Sequence, residues 1–179
     1  MEVPDLRSYE VLSDDTELVL RPLREADRAL VARGFAGLGP ESRYRRYMVP
    51  KQVLTDRELR ELTRVDGTFH YALGVLGWDA DGGEQPLAIA RFVRQRADSD
   101  EADAAVAVVD AAQGRGLGKV LLRRLAREAS QRGVRRFVGD VLSSNVGARC
   151  LIRGLDPDAR FVSQGDGSAR FALRLPDGL

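Results

Sequence analysis

Three glycines occupy every second position between an apolar run of residues, 104–109, and an amphipathic segment that follows. The stretch reads QGRGLG and covers residues 113–118. Glycine loses more backbone freedom on folding than any other residue, so glycines in such close succession are costly to order. A group that approaches the backbone closely would explain them. The free N–H groups at the start of a helix favour an anion in that position.

Two common glycine-rich loops do not fit this spacing. A nucleotide P-loop needs a glycine five residues before its Gly-Lys pair and a Ser or Thr after it, but Gln113 and Val120 occupy these positions. A dinucleotide fingerprint needs a glycine where Lys119 or Leu121 stands, although Asp140 lies at about the distance of the ribose-binding acid. A tight strand-to-helix turn without a ligand is the remaining alternative.

The composition excludes several classes of protein. The 28 basic and 27 acidic residues nearly cancel, so we expect no nucleic-acid partner. With a single histidine, His70, and a single cysteine, Cys150, the chain has neither an internal disulfide nor the ligand spacing of a zinc site, and we expect no metal. There is no signal-peptide pattern and no apolar stretch long enough to cross a bilayer, so a cytoplasmic protein is expected.

The N-terminal half has patterns of both strands and helices. Two short strands flank a polar turn at 13–15, and three helical segments follow. The third helix is expected to begin at a capping box, in which Thr55 is the N-cap and Glu58 stands three residues later. A hairpin is predicted around the turn formers at 79–85.

The C-terminal half contains a strand-helix-strand unit. Strand 104–109, the glycine turn, a helix over about 116–132 and strand 136–142 follow one another. The two strands should lie side by side and parallel. A short helix capped by Ser144 and a closing hairpin complete a mixed α/β pattern. The length predicts one domain, residues 1–179.

The run Gln113-x-x-Gly116-x-Gly118, between an apolar strand and an amphipathic helix, resembles the acetyl-CoA loop of the GNAT superfamily of N-acyltransferases. The segment Leu18–Asp27 resembles that family's first strand and turn, so the resemblance covers nearly the whole chain. It implies the GNAT fold, a mixed and mostly antiparallel central sheet flanked by helices. A parallel pair of strands splays apart at the acetyl-CoA site of that fold.

The resemblance implies acetyl-CoA as the cosubstrate. Backbone N–H groups at the start of a helix would hold its pyrophosphate where no β-carbons intervene. The residues assigned to it lie on the fourth strand, in the loop and after the fifth strand: Val108, Val109, Gln113, Gly114, Arg115, Gly116, Leu117, Gly118, Lys119 and Asn145. Asn145 is also compatible with a capping role, and Arg123 and Arg124 are either phosphate contacts or a solvated helix face.

The resemblance also implies a direct transfer to an amine, for which a base must take a proton. In similar lysine acetyltransferases a glutamate ten residues before the loop's Gln is the base, and this position is Asp103 here, with Glu101 and His70 as alternatives. The alternative to the role of a base is that Asp103 only ends an acidic turn. The backbone N–H of Val108 or a neighbour would polarise the thioester. Ile152 replaces the tyrosine that protonates the leaving thiolate in many members.

One residue of the predicted short helix and one upstream segment complete the expectations from the sequence. We expect Cys150 to be a small buried apolar residue. The segment Leu38–Lys51 and the residues after it resemble the acetyltransferase domain of bacterial protein-lysine acetyltransferases. Some of these carry a regulatory domain, for which the chain has no room. The expected acceptor is a primary amine, foremost a protein lysine. The alternatives are a small-molecule amine acetyltransferase and a non-catalytic acyl-CoA sensor. The sequence does not indicate the oligomeric state.

Overall fold

The computed structural model describes residues 7–11, 16–96 and 98–176. Within these residues eight strands form one sheet: β1 (Ser8–Val11), β2 (Glu17–Pro22), β3 (His70–Trp78), β4 (Glu84–Val93), β5 (Glu101–Val108), β6 (Arg136–Leu142), β7 (Arg160–Ser163) and β8 (Ser168–Arg174). The strand order is β1-β2-β3-β4-β5-β6-β8-β7. Only the β5–β6 pair is parallel among them, so the predicted mixed and mostly antiparallel sheet is confirmed.

Five α-helices of the described residues flank this sheet: α1 (Arg28–Ala36), α2 (Pro40–Tyr47), α3 (Asp56–Thr63), α4 (Leu117–Gln131) and α5 (Val146–Leu155). Helix α3 begins as predicted, because the Thr55 hydroxyl accepts from the N–H of Glu58 and the Glu58 carboxylate accepts from the N–H of Thr55. Helix α4 is followed by Gly133, whose φ of +81° suits glycine. No helix of the described segments is long and apolar enough to cross a membrane.

Two predicted boundaries were wrong. Strand β5 begins at Glu101 rather than 104, because the backbone of residues 101–103 pairs with β6 despite its acidic side chains. Helix α5 is capped by Asn145 rather than Ser144, since the Asn145 side-chain oxygen accepts from the N–H of Ala148 at 3.1 Å. The predicted polar turn at 13–15 lies outside the described residues.

Each face of the sheet packs against different helices. On one side, which we call the α4 face, Leu121 and Leu125 of α4 pack in the core that contains Phe92 and Phe137. On the other, the α2 face, the helices α1, α2 and α3 cover β4 and β5. Successive residues of a strand alternate between faces, so Ala102 and Ala104 belong to the α4 face. Asp103, Ala105 and Ala107 accordingly belong to the α2 face.

The parallel pair is short. Strands β5 and β6 are paired only where 101–103 lie beside 136–138. Gly139, directly after the last paired residue, allows a close approach, because a Cβ there would lie 2.8 Å from the Phe171 ring and 3.0 Å from the Ala104 carbonyl oxygen. Beyond this point the two strands separate, as the predicted splay requires.

Candidate active site

An open gap passes through the sheet where β5 and β6 separate. It forms a cavity of about 290 Å³. Its walls on the α4 face include Leu122, Leu151 and Phe171, and those on the α2 face include Ser42 and Asp140. The gap can therefore receive one molecule from each face of the sheet, an apolar arm on one side and a polar group on the other.

The β4–β5 ladder determines which groups of β5 face the gap. The N–H of Val109 donates to the carbonyl of Leu87 at 2.9 Å, and hydrogen-bonded positions alternate along an antiparallel pair. The register therefore turns the N–H groups of Ala107 and Val109 toward β4, and those of Val106 and Val108 toward the gap. Val108 is thus placed to donate to a bound molecule, whereas the N–H of Val109 is already bonded.

Val106 is a gap residue that sequence reasoning missed, because the direction of a strand N–H depends on pairing rather than on residue type. With a rise of about 3.3 Å per residue, Val106 lies about 10 Å along the strand from Asp103 and Val108 about 16 Å. The N–H of Val106 is therefore the gap-facing donor closer to the predicted base.

The glycine loop lies at the end of the gap and leads into α4. Gly114 and Gly116 have φ values of +76° and +85°, and a Cβ on either would meet nothing within 4 Å. They are required by backbone conformation. Gly116 is the N-cap and offers no side-chain acceptor, so the first N–H groups of α4, those of Leu117 and Gly118, keep their capacity for an anion.

The Gln113 side chain connects the loop to other elements. Its amide nitrogen donates to the Val108 carbonyl at 3.1 Å, to Asp110 Oδ1 at 3.2 Å and to Ser42 Oγ on α2 at 3.2 Å. Asp110 also accepts from the N–H of Gly39 at 3.0 Å. The side chain of Gln113 thus connects the loop to β5 and α2, and Gln113 also lines the gap.

The predicted basic residues are distributed over different surroundings. The Arg115 guanidinium donates to the Thr16 hydroxyl, beside β2. Lys119 is exposed in the first turn of α4. Arg124 makes an ion pair of 3.0 Å with Glu128, while Arg123 is exposed. The structure therefore leaves Lys119 and Arg123 as the basic side chains of this set that are most open to a phosphate.

Helix α5 forms part of the wall of the gap on the α4 face. Asn145 lines the gap, although its side-chain oxygen caps the helix. Ile152, in the place of the family's tyrosine, is buried in the core and also reaches the gap. Cys150 is exposed, so the prediction that it is buried was wrong. Its position on α5 turns it away from the apolar face that contains Ile152.

Asp103 lies on the α2 face, within β5 and at the last paired position before the gap. Partial desolvation raises the pKa of Asp103 above its usual value, and the negative charge of Asp140 acts in the same direction. The positive charges of Arg170, Arg46 and Arg91 oppose this increase. A carboxylate with a raised pKa beside an opening is suited to accept a proton.

The alternative bases are less favourably placed. Glu101 precedes Asp103 by two residues on β5, about 7 Å farther from the gap. His70 is half-buried on β3, two strands from β5, and its Nδ1 lies 3.2 Å from the Arg64 carbonyl. Burial and the positive charge of Arg91 lower the pKa of His70. Its Nε2 has no hydrogen-bond partner among the described residues.

The sequence matches the model of the acetyltransferase (GNAT) family over residues 41–155. The chain belongs to this GNAT family. It is 33% identical to Acetyltransferase Pat of Mycolicibacterium smegmatis over 134 residues, which make up 74% of this chain and 39% of that protein. The chain therefore spans well under half of that relative's length.

Solved structures show the same GNAT fold. The GNAT domain of S. lividans PAT superposes with a TM-score of 0.84 at 27% identity, covering 97% of this chain and 100% of that one. The yncA protein of Salmonella typhimurium, solved with acetyl-CoA, has a TM-score of 0.67 at 21% identity, over 89% of this chain and 95% of that one. Two predictions are confirmed: the chain is a member of the GNAT acetyltransferase family, and it is similar to Pat proteins. Acetyl-CoA, also predicted, is the cosubstrate of this family.

Proposed function

We propose that this chain transfers the acetyl group of acetyl-CoA directly to a primary amine, the side chain of a protein lysine, and that residues 1–179 act as one acetyltransferase domain. The observation that carries the proposal is the gap through the sheet. It has gap-facing N–H groups on β5, an anion-favouring loop at one end, and Asp103 at the other end on the opposite face.

The donor would occupy the α4 face. The N–H groups of Leu117 and Gly118 would bind the pyrophosphate, with Lys119 adding positive charge. The N–H of Val108 would bind the pantetheine arm, and the N–H of Val106 would donate to the thioester carbonyl oxygen. Leu122, Leu151 and Phe171 would exclude water from the arm.

The acceptor would enter from the α2 face. An amine must be neutral to attack, so Asp103 would take its proton, through one water because the aspartate side chain is short. The amine nitrogen then bonds to the thioester carbon as the bond to sulfur breaks. The leaving thiolate would receive its proton from solvent, since Ile152 cannot supply one.

The proposal is tested by measuring thiol release from acetyl-CoA in the presence of lysine-containing peptides and small amines, with mass spectrometry of the acceptor. We expect an acetylated amine in molar balance with released thiol. Binding of acetyl-CoA without any acetylated product across the panel would instead indicate an acyl-CoA sensor and overturn the proposal.

A further inference from the structure

Two guanidinium groups meet on the α2 face beside the gap. Arg91 of β4 pairs in register with Ala105, so it lies diagonally across from Asp103 at about 7 to 8 Å between Cα atoms. Arg46 of α2 lies above it. Both arginines line a hollow of about 70 Å³ between the sheet and helices α1 to α3, and Arg46 also lines the gap. The hollow and the gap therefore adjoin at these side chains.

Neighbouring arginines have counter-ions, but these two do not. Arg45 pairs with Glu41 at 2.5 Å, and Arg170 pairs with Asp140 at 3.3 Å. Across residues 7–11, 16–96 and 98–176, the guanidinium group of neither Arg46 nor Arg91 makes a hydrogen bond or an ion pair within 4.0 Å. Arg46 instead lies over the Tyr47 ring, 5.0 Å from its centroid.

The two positive charges affect each other. Burial lowers the pKa of Arg91, and the charge of Arg46 lowers it further. Asp103 and Glu61 act in the opposite direction without reaching ion-pair distance. Two guanidinium groups held close together and partly out of water repel each other, and a planar anion between them would relieve this repulsion.

The rest of the hollow is apolar. Its wall is formed largely by aliphatic and aromatic side chains of α1, α3, β4, β5 and the segment before α3: Leu30, Phe35, Leu54, Leu62, Ile89 and Ala105. An anion bound at Arg46 and Arg91 would thus have Asp103 on one side and an apolar space on the other. An acceptor that holds a carboxylate close to its amine in space fits this arrangement, because the amine can then reach Asp103 while the carboxylate contacts the arginines.

We propose that the acceptor carries a carboxylate close to its amine, and that Arg46 and Arg91 bind this carboxylate while the amine lies in the gap beside Asp103. This inference rests on the proposed transfer of an acetyl group to a primary amine and adds the substrate class, and a preference for the free amino acid would replace the protein lysine as the acceptor. The carboxylate could belong to a free amino acid or to an acidic residue next to the acceptor lysine in a peptide. Both sources present the same planar anion to the two guanidinium groups.

The kinetic test uses matched acceptors that differ only in the carboxylate. Turnover is measured with leucine against leucinamide, and with a blocked Ala-Asp-Lys-Ala peptide against its Ala-Asn-Lys-Ala counterpart. We expect kcat/KM to favour the carboxylate in at least one pair, and the pair that shows the preference identifies its source. A preference in neither pair overturns the inference.

Variants assign the preference to the two arginines. In Arg46→Gln and Arg91→Gln, and in their double variant, the wild-type preference should fall by about tenfold or more, because charge-assisted and bidentate contacts are lost. Because both arginines also act on the pKa of Asp103, the absolute rates with both partners should change, and the ratio between the two partners is the readout. Arg91→Lys keeps the charge without the planar fork and should retain part of the preference. Arg57→Gln is the control, because the Arg57 side chain is exposed on α3, and this variant should keep the full preference. A preference that survives in the double variant overturns the inference.

A binding measurement separates failure of this inference from failure of the proposed function. Calorimetry compares N-acetyl-leucine with N-acetyl-leucinamide, and the acetylated Asp-Lys peptide with its Asn-Lys counterpart, and it needs no turnover. We expect tighter binding of at least one carboxylate form to the wild type and equal binding of both forms to the double variant. Absence of turnover together with this pattern would reject the acetyltransferase function and keep the anion site, whereas equal binding by the wild type would reject the anion site.

Discussion

Asp103 combines two properties that a structural aspartate rarely has. It lies at the last paired position before β5 and β6 separate, and desolvation raises its pKa. The Asp103 side chain is exposed and has no ion pair within 4.0 Å among the described residues, and a carboxylate with a raised pKa at an opening is a candidate for a chemical role. The effects of Asp103 on activity and on stability can be measured in separate experiments.

The first prediction concerns the pH dependence of Asp103. A base acts only when deprotonated, so kcat should fall as the pH drops through a value above the usual 3.8 of an aspartate. Asp103→Asn should lower kcat by about two to four orders of magnitude. Asp103→Glu, which restores the residue of similar enzymes, should retain activity. Rates measured between pH 5 and 9, with calorimetry of acetyl-CoA binding, check this.

Stability provides the control for the Asp103 variants. Because protonation of a group with a raised pKa favours the folded state, Asp103→Asn should leave the melting temperature unchanged or higher at pH 7. Normal turnover by Asp103→Asn would show that the aspartate is only a strand residue. Glu101→Gln and His70→Gln would then be the next variants to assay.

The second prediction concerns Gly116. A side chain at its φ of +85° strains the backbone by about 1 to 2 kcal/mol, while a Cβ there contacts nothing in the protein. Gly116→Ala should therefore lose that much stability, and acetyl-CoA affinity should also fall by about tenfold or more because the methyl group enters the phosphate site. Denaturant unfolding and calorimetry measure the two effects.

Gly165→Ala is the matched control for this variant. Gly165 has the same φ of +85° with nothing within 4 Å of a Cβ, but it lies in the β7–β8 turn. The Gly165→Ala variant should lose a similar amount of stability and keep the wild-type affinity for acetyl-CoA. Equal affinities in the two variants would show that the loop does not hold the phosphates.

At the scale of elements, the glycine loop and helix α2 are joined by hydrogen bonds. Gln113 bonds to Ser42 of α2, and the Asp110 carboxylate accepts from the N–H of Gly39, directly before α2. The N–H of Asp110 in turn donates to the Gly37 carbonyl at 3.1 Å. These contacts place the start of α2 relative to the end of β5, and so they set the width of the proposed acceptor entrance.

The third prediction tests this connection. Asp110→Ala removes the acceptor for the Gly39 N–H, so the free energy of unfolding should fall by about 1 kcal/mol and the KM for the amine should rise. The affinity for acetyl-CoA should change little, since Gln113 still bonds to the Val108 carbonyl. Steady-state kinetics with both substrates varied check this. Asp79→Ala, which removes a similar cap in the distant β3–β4 turn, should leave both KM values unchanged.

Much of the element order was predictable, because it rests on local signals. The capping box at Thr55, the turn formers at 79–85 and the glycines around α4 act through residues close in sequence. The start of β5 was placed too late because its first residues are acidic and gain their strand conformation from pairing with β6. Propensity does not contain that information.

The candidate site was predictable only in part. The loop and Asp103 follow from spacing and resemblance, but the gap-facing N–H of Val106 depends on the β4–β5 register. The proximity of Arg46 and Arg91 depends on how α2 packs over the sheet, which joins residues far apart in the chain. Such long-range geometry has no local sequence signal.

At the scale of the whole molecule, the two faces of the sheet differ in composition. The α4 face contains the larger apolar core and the glycine loop, while the α2 face contains the charged groups beside the gap. An ion pair fixes the helices of the α2 face to the sheet: Arg21 of β2 makes two hydrogen bonds, of 2.7 and 2.8 Å, to Asp27 before α1. Both side chains are buried.

Asp27 and Asp103 respond to acid in opposite directions. Burial by itself raises the pKa of Asp27, but hydrogen bonds from Arg21 and from the N–H of Arg24 outweigh it, so the pKa of Asp27 is lowered. A lowered pKa stabilises the fold above the unfolded value and loses this contribution as the pH falls through the folded value. Asp103, with its raised pKa, favours the folded state as it becomes protonated.

The fourth prediction follows from the Arg21–Asp27 pair. Asp27→Asn removes the nearest counter-charge of the buried Arg21, whose ion pair with Glu84 is longer at 3.9 Å, so the free energy of unfolding should fall by about 3 kcal/mol near pH 7. The difference from the wild type should stay constant down to about pH 5 and shrink below about pH 4, as Asp27 itself becomes protonated in the wild type. Urea unfolding at several pH values measures it, with Asp158→Asn, at an exposed position between α5 and β7, as the control. A difference that is the same at pH 7 and pH 3 would mean that the loss comes from packing and not from the charge of Asp27.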